Sequence, residues 1–529
     1  MTIGIILVSS VIFLSILAEK FSVKLGMPAL ILFMFIGMLF GSDGIMKIPF
    51  DDYSAANEIC SIALLFIMFY GGFNTKWKLA KPVATKAVLL STLGVVITAG
   101  VTAVLCYFLL GFSVAESFLI GAVLSSTDAA SVFSILRQKK LNLKDGTASL
   151  LEVESGSNDP MSYMLTIIGI GIIGASDAGN PVVLIILQIL LGVSVGVLFA
   201  FIAIWLLTKT SLISEGLDTI FMIAIVLICY SISGILGGNQ FLSVYLMGII
   251  IGNSKIKNKT TMIPFFDGVT SLSQILIFFL LGLLAFPHEM PEIFLTALAI
   301  AIFLTVIARP IAVFSILLPF RCSVRQCVLV SWAGLRGAAS SVFAIMVVAS
   351  GAGLAYDLFH IVFMVSLFSV SIQGTFLPAV AKKLNMVDES NDVCKTFNDY
   401  QEESAITLMR MYIPKGHNWE NKYIREVNMP TGSLAIMIKR NKETIITKGD
   451  TQILAGDSII LSVPAYEPSD NDQLMEIHID KSHEWCGKAI SEINIPEDEL
   501  LAMVIRNGQN LIPDGKTVIC ENDIVVAYK

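Results

Sequence analysis

The chain has 529 residues, 55% of them apolar and only 15% charged, with a mean hydropathy of +0.78. Ordinary soluble domains are about a quarter charged, so this composition excludes a soluble globular protein, a disordered chain and a secreted disulfide scaffold. Charge is unevenly placed: residues 1–386 hold 21 Lys+Arg against 18 Asp+Glu, and residues 387–529 hold 14 against 24. A polytopic membrane part with an acidic soluble tail accounts for both halves. The eight cysteines form no CxxC pair and read as free thiols. The first apolar run lacks a basic leader and a small-residue cleavage site, so it reads as a span rather than a signal peptide.

A bilayer-crossing helix takes about 20 mostly apolar residues. Runs of that kind lie near 3–18, 28–42, 57–74, 87–110, 115–136, 147–175, 181–207, 219–236, 241–252, 264–286, 292–318, 327–350 and 357–381. They predict thirteen transmembrane helices. The odd-numbered loops and the segment after the last run carry 18 basic residues, whereas the even-numbered loops carry Lys47 alone. The positive-inside rule then sets the N-terminus outside and the C-terminus in the cytoplasm of a cell whose inner membrane holds the protein.

Ionisable residues inside spans are costly and mark a pathway or a partner. Asp128 falls in the fifth run, Glu152, Glu154 and Asp159 in the sixth, Arg309 in the eleventh and Arg336 in the twelfth. Ser125-Ser126-Thr127-Asp128-Ala129-Ala130 favours an interrupted helix whose freed carbonyls face a cavity. In Glu154-Ser155-Gly156-Ser157-Asn158-Asp159-Pro160, the four-apart pairs Glu154/Asn158 and Ser155/Asp159 make an oxygen-rich patch. Gly334-Leu335-Arg336-Gly337 loosens the twelfth run around a charge. Two interrupted helices, one in each half, point to an inverted-repeat transporter with its site at the midplane. Glu154 is expected to form a structural ion pair with Arg336, and Arg309, next to Pro310, to serve helix ends. Asp159, with Asn158, Ser155 and Thr127 nearby, offers the carboxylate and neutral oxygens that suit a hard alkali cation.

These motifs resemble the monovalent cation/proton antiporters of the sodium/hydrogen exchanger family. Ser-Thr-Asp-Ala-Ala, Glu-Ser-x-x-Asn-Asp and Gly-Leu-Arg-Gly occur in the right order, and the resemblance spans residues 1–386. Within the family the chain is most similar to bacterial NhaP-type potassium/proton antiporters. The resemblance implies that Asp159 binds the ion or the proton, with Asn158 as its partner. It implies that Asp128, Thr127 and Ser155 complete the monovalent cation site, and that Glu154 and Arg336 are the structural ion pair. It also implies a homodimer in which a six-helix core moves against a dimerisation domain. Relatives often carry Thr-Asp-Pro in place of Thr127-Asp128-Ala129, and many have an acid before the Gly-Gly where this chain has Tyr70-Gly71-Gly72. The twelfth motif continues as Ala-Ala-Ser-Ser rather than with a proline.

Beyond a linker at 387–404, the tail repeats itself at an offset of 66 residues, without a gap. Lys415/Lys481, His417/His483, Trp419/Trp485, Arg440/Arg506 and Asp457/Asp523 are among the matches. Short β-branched runs with Asn-Gly and Asp-Gly turns predict two tandem small α+β modules, at 405–465 and 470–529, each with one helix after its tryptophan. The pattern resembles the TrkA-C domain of potassium transport proteins. No GxGxxG follows a strand, so a nucleotide-binding half is not expected. One His per module beside a Trp reads as core or surface rather than as a metal ligand.

The expected function is secondary exchange of K⁺, or less readily Na⁺, for H⁺, electroneutral and regulated through the tail. No enzyme activity and no cofactor are expected; the partners are a second copy, monovalent cations, protons, lipid and a small ligand on the tail, and not nucleic acid. A cation channel would need a carbonyl filter of the TVGYG kind, which is lacking. An intramembrane aspartyl protease would use Asp128 and Asp159 as a dyad, but neither sits in a Gly-Asp context.

Overall fold

The computed structural model describes residues 2–25, 28–139, 141–174, 180–209, 216–256, 258–388, 406–430, 433–440, 443–464, 474–481, 483–493, 500–506, 509–511 and 513–528. Most of the expected linker, 389–404, lies outside them. The chain divides into two compact units, Met1–Val393 and Cys394–Lys529.

The first unit is helical. Its helices are α1 (Thr2–Leu25), α2 (Ala29–Phe40), α3 (Tyr53–Asn74), α4 (Ala84–Phe108), α5 (Val114–Leu124), α6 (Ala129–Gln138), α7 (Thr147–Ile173) and α8 (Pro181–Lys209). They continue as α9 (Asp218–Ile235), α10 (Gln240–Gly252), α11 (Lys259–Leu283), α12 (Met290–Phe320), α13 (Val324–Trp332), α14 (Ala338–Ala349) and α15 (Leu358–Lys383). A single helical turn, Trp77–Ala80, stands between α3 and α4. By length and apolar content, seven of the described helices can cross a membrane: α3, α4, α8, α9, α11, α12 and α15. The length of α7 also suffices, but Glu152, Glu154 and Asp159 lower its apolar character.

Two apolar runs are split. The fifth divides into α5 and α6 around residues 125–128, and the twelfth into α13 and α14 around 333–337. The sixth does not split: α7 runs continuously through Pro160. The carbonyl of Pro160 accepts from Asn239 Nδ2 at 2.8 Å, and the Asn239 side chain also caps α10 through the Leu242 amide. Among the described residues three helices carry π-helical turns, at Leu90–Gly94 in α4, Leu304–Ala308 in α12 and Ser369–Gly374 in α15. Such turns insert a residue into the helical phase and recur at functional sites.

Small residues set the closest packing. A Cβ on Gly72 would lie 2.3 Å from the Tyr245 carbonyl and one on Gly248 2.4 Å from the Phe69 carbonyl, so α3 and α10 touch backbone to backbone. Elsewhere the core is aliphatic and aromatic; Met34, Leu64, Phe278, Phe343 and Phe363 are almost fully buried. Among the described residues all seven cysteines are free.

The second unit is a tandem of antiparallel sheets. Strands β1 (Ile406–Tyr412), β2 (Leu434–Arg440), β3 (Glu443–Ile446) and β4 (Ser458–Pro464) pair in the order β1-β4-β2-β3. Strands β5 (Leu474–His478), β6 (Leu500–Arg506), β7 (Gln509–Leu511) and β8 (Ile524–Tyr528) pair as β5-β8-β6-β7. The offset of 66 holds at every level. Ile413, Ile438, Ile453, Ile459 and Leu461 are buried in the first module, and Ile479, Val504, Ile519, Val525 and Ala527 in the second. Arg440 meets Asp457 in one and Arg506 meets Asp523 in the other, each at 2.7 Å. The Arg506 hydrogen bond holds the Asp523 carboxyl below its ordinary range. The helix expected after each tryptophan is only a 3₁₀ turn, at Ile424–Glu426 and Ile490–Glu492. Antiparallel pairing takes up the flanking segments: Tyr423 bridges to Gln452 and Ala489 to Val518.

Candidate ion-binding site

The two breaks meet. The Asp128 amide donates to the Leu335 carbonyl at 2.8 Å, and Arg336 Nη1 donates to the Ser126 carbonyl at 2.5 Å. The Arg336 amide is held by Ser369 Oγ at 3.0 Å, on the π-helical turn of α15, where Ser369 in turn donates to Gln373. Gly337 is needed for this approach, because a Cβ there would lie 2.0 Å from Asp128 Oδ2. Residues 126–128 and 334–337 leave the helix because small and hydroxylated residues can give up helical bonds and find others.

Against this crossing lies the polar stripe of α7. Ser126 Oγ donates to Asp159 Oδ1, and Asn158 Nδ2 donates to Thr127 Oγ1. Ser155 Oγ donates to the Thr127 carbonyl, and Thr127 Oγ1 lies 3.4 Å from Ser155 Oγ. Ser126, Thr127, Ser155, Asn158 and Asp159 are all buried. Asn158 is wholly buried, and its Oδ1 has no hydrogen-bond partner among the described residues. No Lys or Arg among the described residues forms an ion pair with Asp159.

Asp128 sits at the edge of this group and also does local work. Its Oδ1 accepts from the Ser131 amide at 3.2 Å and its Oδ2 from Ser131 Oγ at 2.5 Å, so it caps the N-terminus of α6. It remains close enough to Asp159 to interact electrostatically.

The expected Glu154–Arg336 ion pair is corrected. Arg309 Nη2 reaches both carboxylate oxygens of Glu154 at 2.8 Å, with the two side chains 2% and 1% exposed. Arg336 instead binds the Ser126 carbonyl in the break. Arg309 follows the π-helical turn of α12 and passes against Gly334, where a Cβ would stand 2.8 Å from its Nε. The structure thus gathers Asp159, Asn158, Thr127 and Ser155 as expected, adds Ser126 as the direct donor to Asp159, and exchanges the roles of the two arginines. Ser126 belongs to the same small, hydroxylated run, but nothing in its spacing sets it apart from Ser125.

The sequence profile of the sodium/hydrogen exchanger transmembrane domain matches residues 8–383, and that of the TrkA-C domain matches residues 408–465 and 474–528. The chain is 33% identical over 461 residues to the K(+)/H(+) antiporter NhaP2 of Shewanella sp. strain ANA-3, covering 86% of this chain and 80% of the relative. It is 34% identical over 462 residues to the K(+)/H(+) antiporter NhaP of Alkalimonas amylolytica, with the same coverage. The fold resembles the sodium proton antiporter MjNhaP1 of Methanocaldococcus jannaschii at pH 8, with a TM-score of 0.64 at 24% identity, over 72% of this chain and 99% of that one. The crossed breaks, the buried oxygen cluster and these matches together make the chain a member of the sodium/hydrogen exchanger family, with tandem TrkA-C domains in its tail.

Proposed function

We propose that this cation/proton antiporter exchanges K⁺ for H⁺, one for one, at Asp159. The observation that carries the reading is the pairing of Asp159, a buried carboxylate without a cationic partner among the described residues, with the unpartnered Oδ1 of Asn158. A buried acceptor left unpaired costs about 1–3 kcal/mol, and a dehydrated alkali cation is a natural occupant. Thr127, Ser155 and the edge carboxylate Asp128 supply further oxygens. K⁺ is favoured over Na⁺ by the names of the relatives that are about one-third identical over most of the chain.

Charge balance supports electroneutral exchange. The midplane holds Asp128, Glu154 and Asp159 against Arg309 and Arg336, a net of one negative charge with Asp159 ionised. Either one proton or one K⁺ brings that to zero, so both loaded forms carry the same charge. The alternating loop charges support thirteen crossings with the N-terminus outside and the C-terminus in the cytoplasm of an inner membrane. The homodimer and the inverted repeat belong to the same reading, with the TrkA-C tail regulating flux through a small ligand. The channel and protease alternatives give way to family membership.

The test is proton flux in everted vesicles. K⁺ should dissipate a preformed pH gradient better than Na⁺, and collapsing the membrane potential should leave the rate unchanged. Asp159→Asn should abolish the response with the protein still inserted. Cation-driven proton flux persisting in that variant refutes the site.

A further inference from the structure

Glu152 is the third acid of α7. It stands seven residues before Asp159 with Gly156 between them, and the spacing i, i+4, i+7 puts all three on one face of the helix. Seven residues of helix rise about 10 Å. Opposite Gly156 lies Tyr245 of α10: a Cβ on Gly156 would fall 2.7 Å from its ring Cε2 and 2.8 Å from its hydroxyl oxygen. Glycine at this position is what lets the ring lie on the α7 backbone. On the other side, the Tyr245 carbonyl is the atom that a Cβ on Gly72 of α3 would strike. Two glycines therefore fix the tyrosine, and its hydroxyl lies within electrostatic reach of both Glu152 and Asp159.

The state of that hydroxyl needs a reason. Tyr245 is 2% exposed, and its hydroxyl oxygen has no hydrogen-bond partner among the described residues, although Ser157 of α7 and Thr75 at the end of α3 stand beside it. A buried hydroxyl left unpaired is destabilising, so packing alone does not account for a tyrosine where a phenylalanine would fill the same space. The surroundings are open. Glu152, Gly156 and Ser157 are partly exposed, whereas Asp159 is buried. Gly71, whose carbonyl accepts from Thr75 Oγ1 at 2.8 Å, is exposed, and a Cβ there would meet nothing within 4 Å. Exposure thus falls along this face of α7 from Glu152 to Asp159, as in a cleft that closes on the ion site. We propose that Tyr245 is a further ligand of the transported cation: an ion entering past the Glu152 carboxylate takes the Tyr245 hydroxyl oxygen as a ligand before it reaches Asp159. Neutral oxygens near a carboxylate suit an alkali cation, and an acid at the mouth of a cleft raises the local cation concentration. The hydroxyl is uncharged, so it tunes cation affinity without altering the charge balance of exchange.

The inference rests on exchange at Asp159, and Tyr245→Phe tests it, since that change removes the hydroxyl alone. In everted vesicles, the K⁺ concentration giving half-maximal proton flux should rise about 3- to 10-fold, the worth of one polar contact, with the maximal rate within about twofold of wild type. The purified full-length protein gives a second readout. K⁺ that binds the folded state raises the unfolding midpoint, and Tyr245→Phe should need about 3- to 10-fold more K⁺ for the same rise. Without K⁺ the variant should melt no lower than wild type, because an unpaired buried hydroxyl adds no stability. A purely structural tyrosine would instead lower the midpoint and leave the K⁺ dependence unchanged, which overturns the proposal. Glu152→Gln should also raise the half-maximal K⁺ concentration. Asp159→Asn separates the two readings. If it abolishes both flux and K⁺-dependent stabilisation while Tyr245→Phe leaves the half-maximal K⁺ unchanged in both assays, the Tyr245 contact is refuted and exchange at Asp159 stands. If Asp159→Asn retains both, exchange at Asp159 fails and the Tyr245 contact falls with it.

Discussion

The Glu154–Arg309 pair provides a quantitative test, because it separates two buried arginines that lie close together. Removing Arg309 leaves the Glu154 carboxylate buried at 1% exposure with both oxygens stripped of their donor. Truncating one partner of such a pair costs about 3–5 kcal/mol, whereas neutralising both is often nearly neutral. Arg309→Gln and Glu154→Gln should each destabilise by that order, and the double variant should recover most of the loss. The coupling energy is then about 3 kcal/mol or more, far above the ~0.5 kcal/mol within which independent sites add. Arg336→Gln should instead lose one charged hydrogen bond to the Ser126 carbonyl, about 1.5–3 kcal/mol, and its cycle with Glu154→Gln should show a much smaller coupling.

Thermal unfolding followed by intrinsic fluorescence in detergent reads both cycles. One kcal/mol moves the midpoint by about 2–4 °C in a domain of 150–250 residues and by less in a larger one, so the single variants at Arg309 and Glu154 should drop by several degrees. Additive losses for Glu154 with Arg309, or strong coupling of Glu154 with Arg336 instead, would refute the pairing. Gly334→Ala supplies an independent check. Its Cβ would stand 2.8 Å from Arg309 Nε, and it should lower the midpoint without touching either charge.

Gly337→Ala should abolish exchange in vesicles while the protein still inserts, because its Cβ would collide with Asp128 at the crossing of the breaks; flux at half the wild-type rate or better would show that the crossing tolerates movement. Truncation after about residue 390 should leave an active antiporter whose dependence on cytoplasmic pH or a small ligand is altered. An unchanged pH profile with no ligand response would make the tail structural. In the second tail module, Asp523 has a folded pKa below its unfolded one, first because of the Arg506 hydrogen bond. Its stabilising contribution is therefore complete above the unfolded pKa and lost as pH falls through the depressed folded one. Trp485 fluorescence in acid titrations should show Asp523→Asn less stable at neutral pH but no more acid-sensitive there; an identical acid midpoint in both proteins would rule out this linkage.

Much of the site was legible because oxygen ligands in apolar surroundings are conspicuous. The stripe Glu154, Ser155, Asn158 and Asp159 followed from four-residue spacing, and α7 places it as that spacing requires. Gly334-Leu335-Arg336-Gly337 marked the break between α13 and α14 because two glycines flank a charge inside an apolar run. The pairing of the arginines was not legible. Arg309 looked like a helix-end charge beside Pro310, but the π-helical turn at Leu304–Ala308 inserts a residue and rotates every later side chain of α12 about the helix axis. Periodicity counted at 3.6 residues per turn cannot carry through such a turn. In the tail, the repeat at 66 extends to the buried apolar positions, yet the expected helices shrink to 3₁₀ turns because bridging to Gln452 and Val518 takes the local backbone.

The crossing of the two breaks also explains why Asp159, rather than Asp128 or Glu154, is left available to an ion. A broken helix exposes a partial positive charge at each new N-terminus and a partial negative charge at each new C-terminus. Asp128 lies on the N-terminus of α6, where its carboxylate caps the Ser131 amide. Arg336 binds the Ser126 carbonyl just beyond the C-terminus of α5. These two residues therefore answer the half-helix dipoles, while Glu154 and Arg309 answer each other. Asp159 receives a hydroxyl donor from Ser126 and no ion pair among the described residues. A hydroxyl can rotate away when an ion arrives, whereas a guanidinium would have to be displaced. On this argument the arginines are kept from Asp159 by prior engagement, and supplying one there should silence exchange. Ser126→Arg or Asn158→Lys would place a fixed cation against Asp159; either variant should fold, neutralise the carboxylate internally and transport neither ion. Cation-driven proton flux in a folded variant of this kind would show that the exchanging charge resides elsewhere.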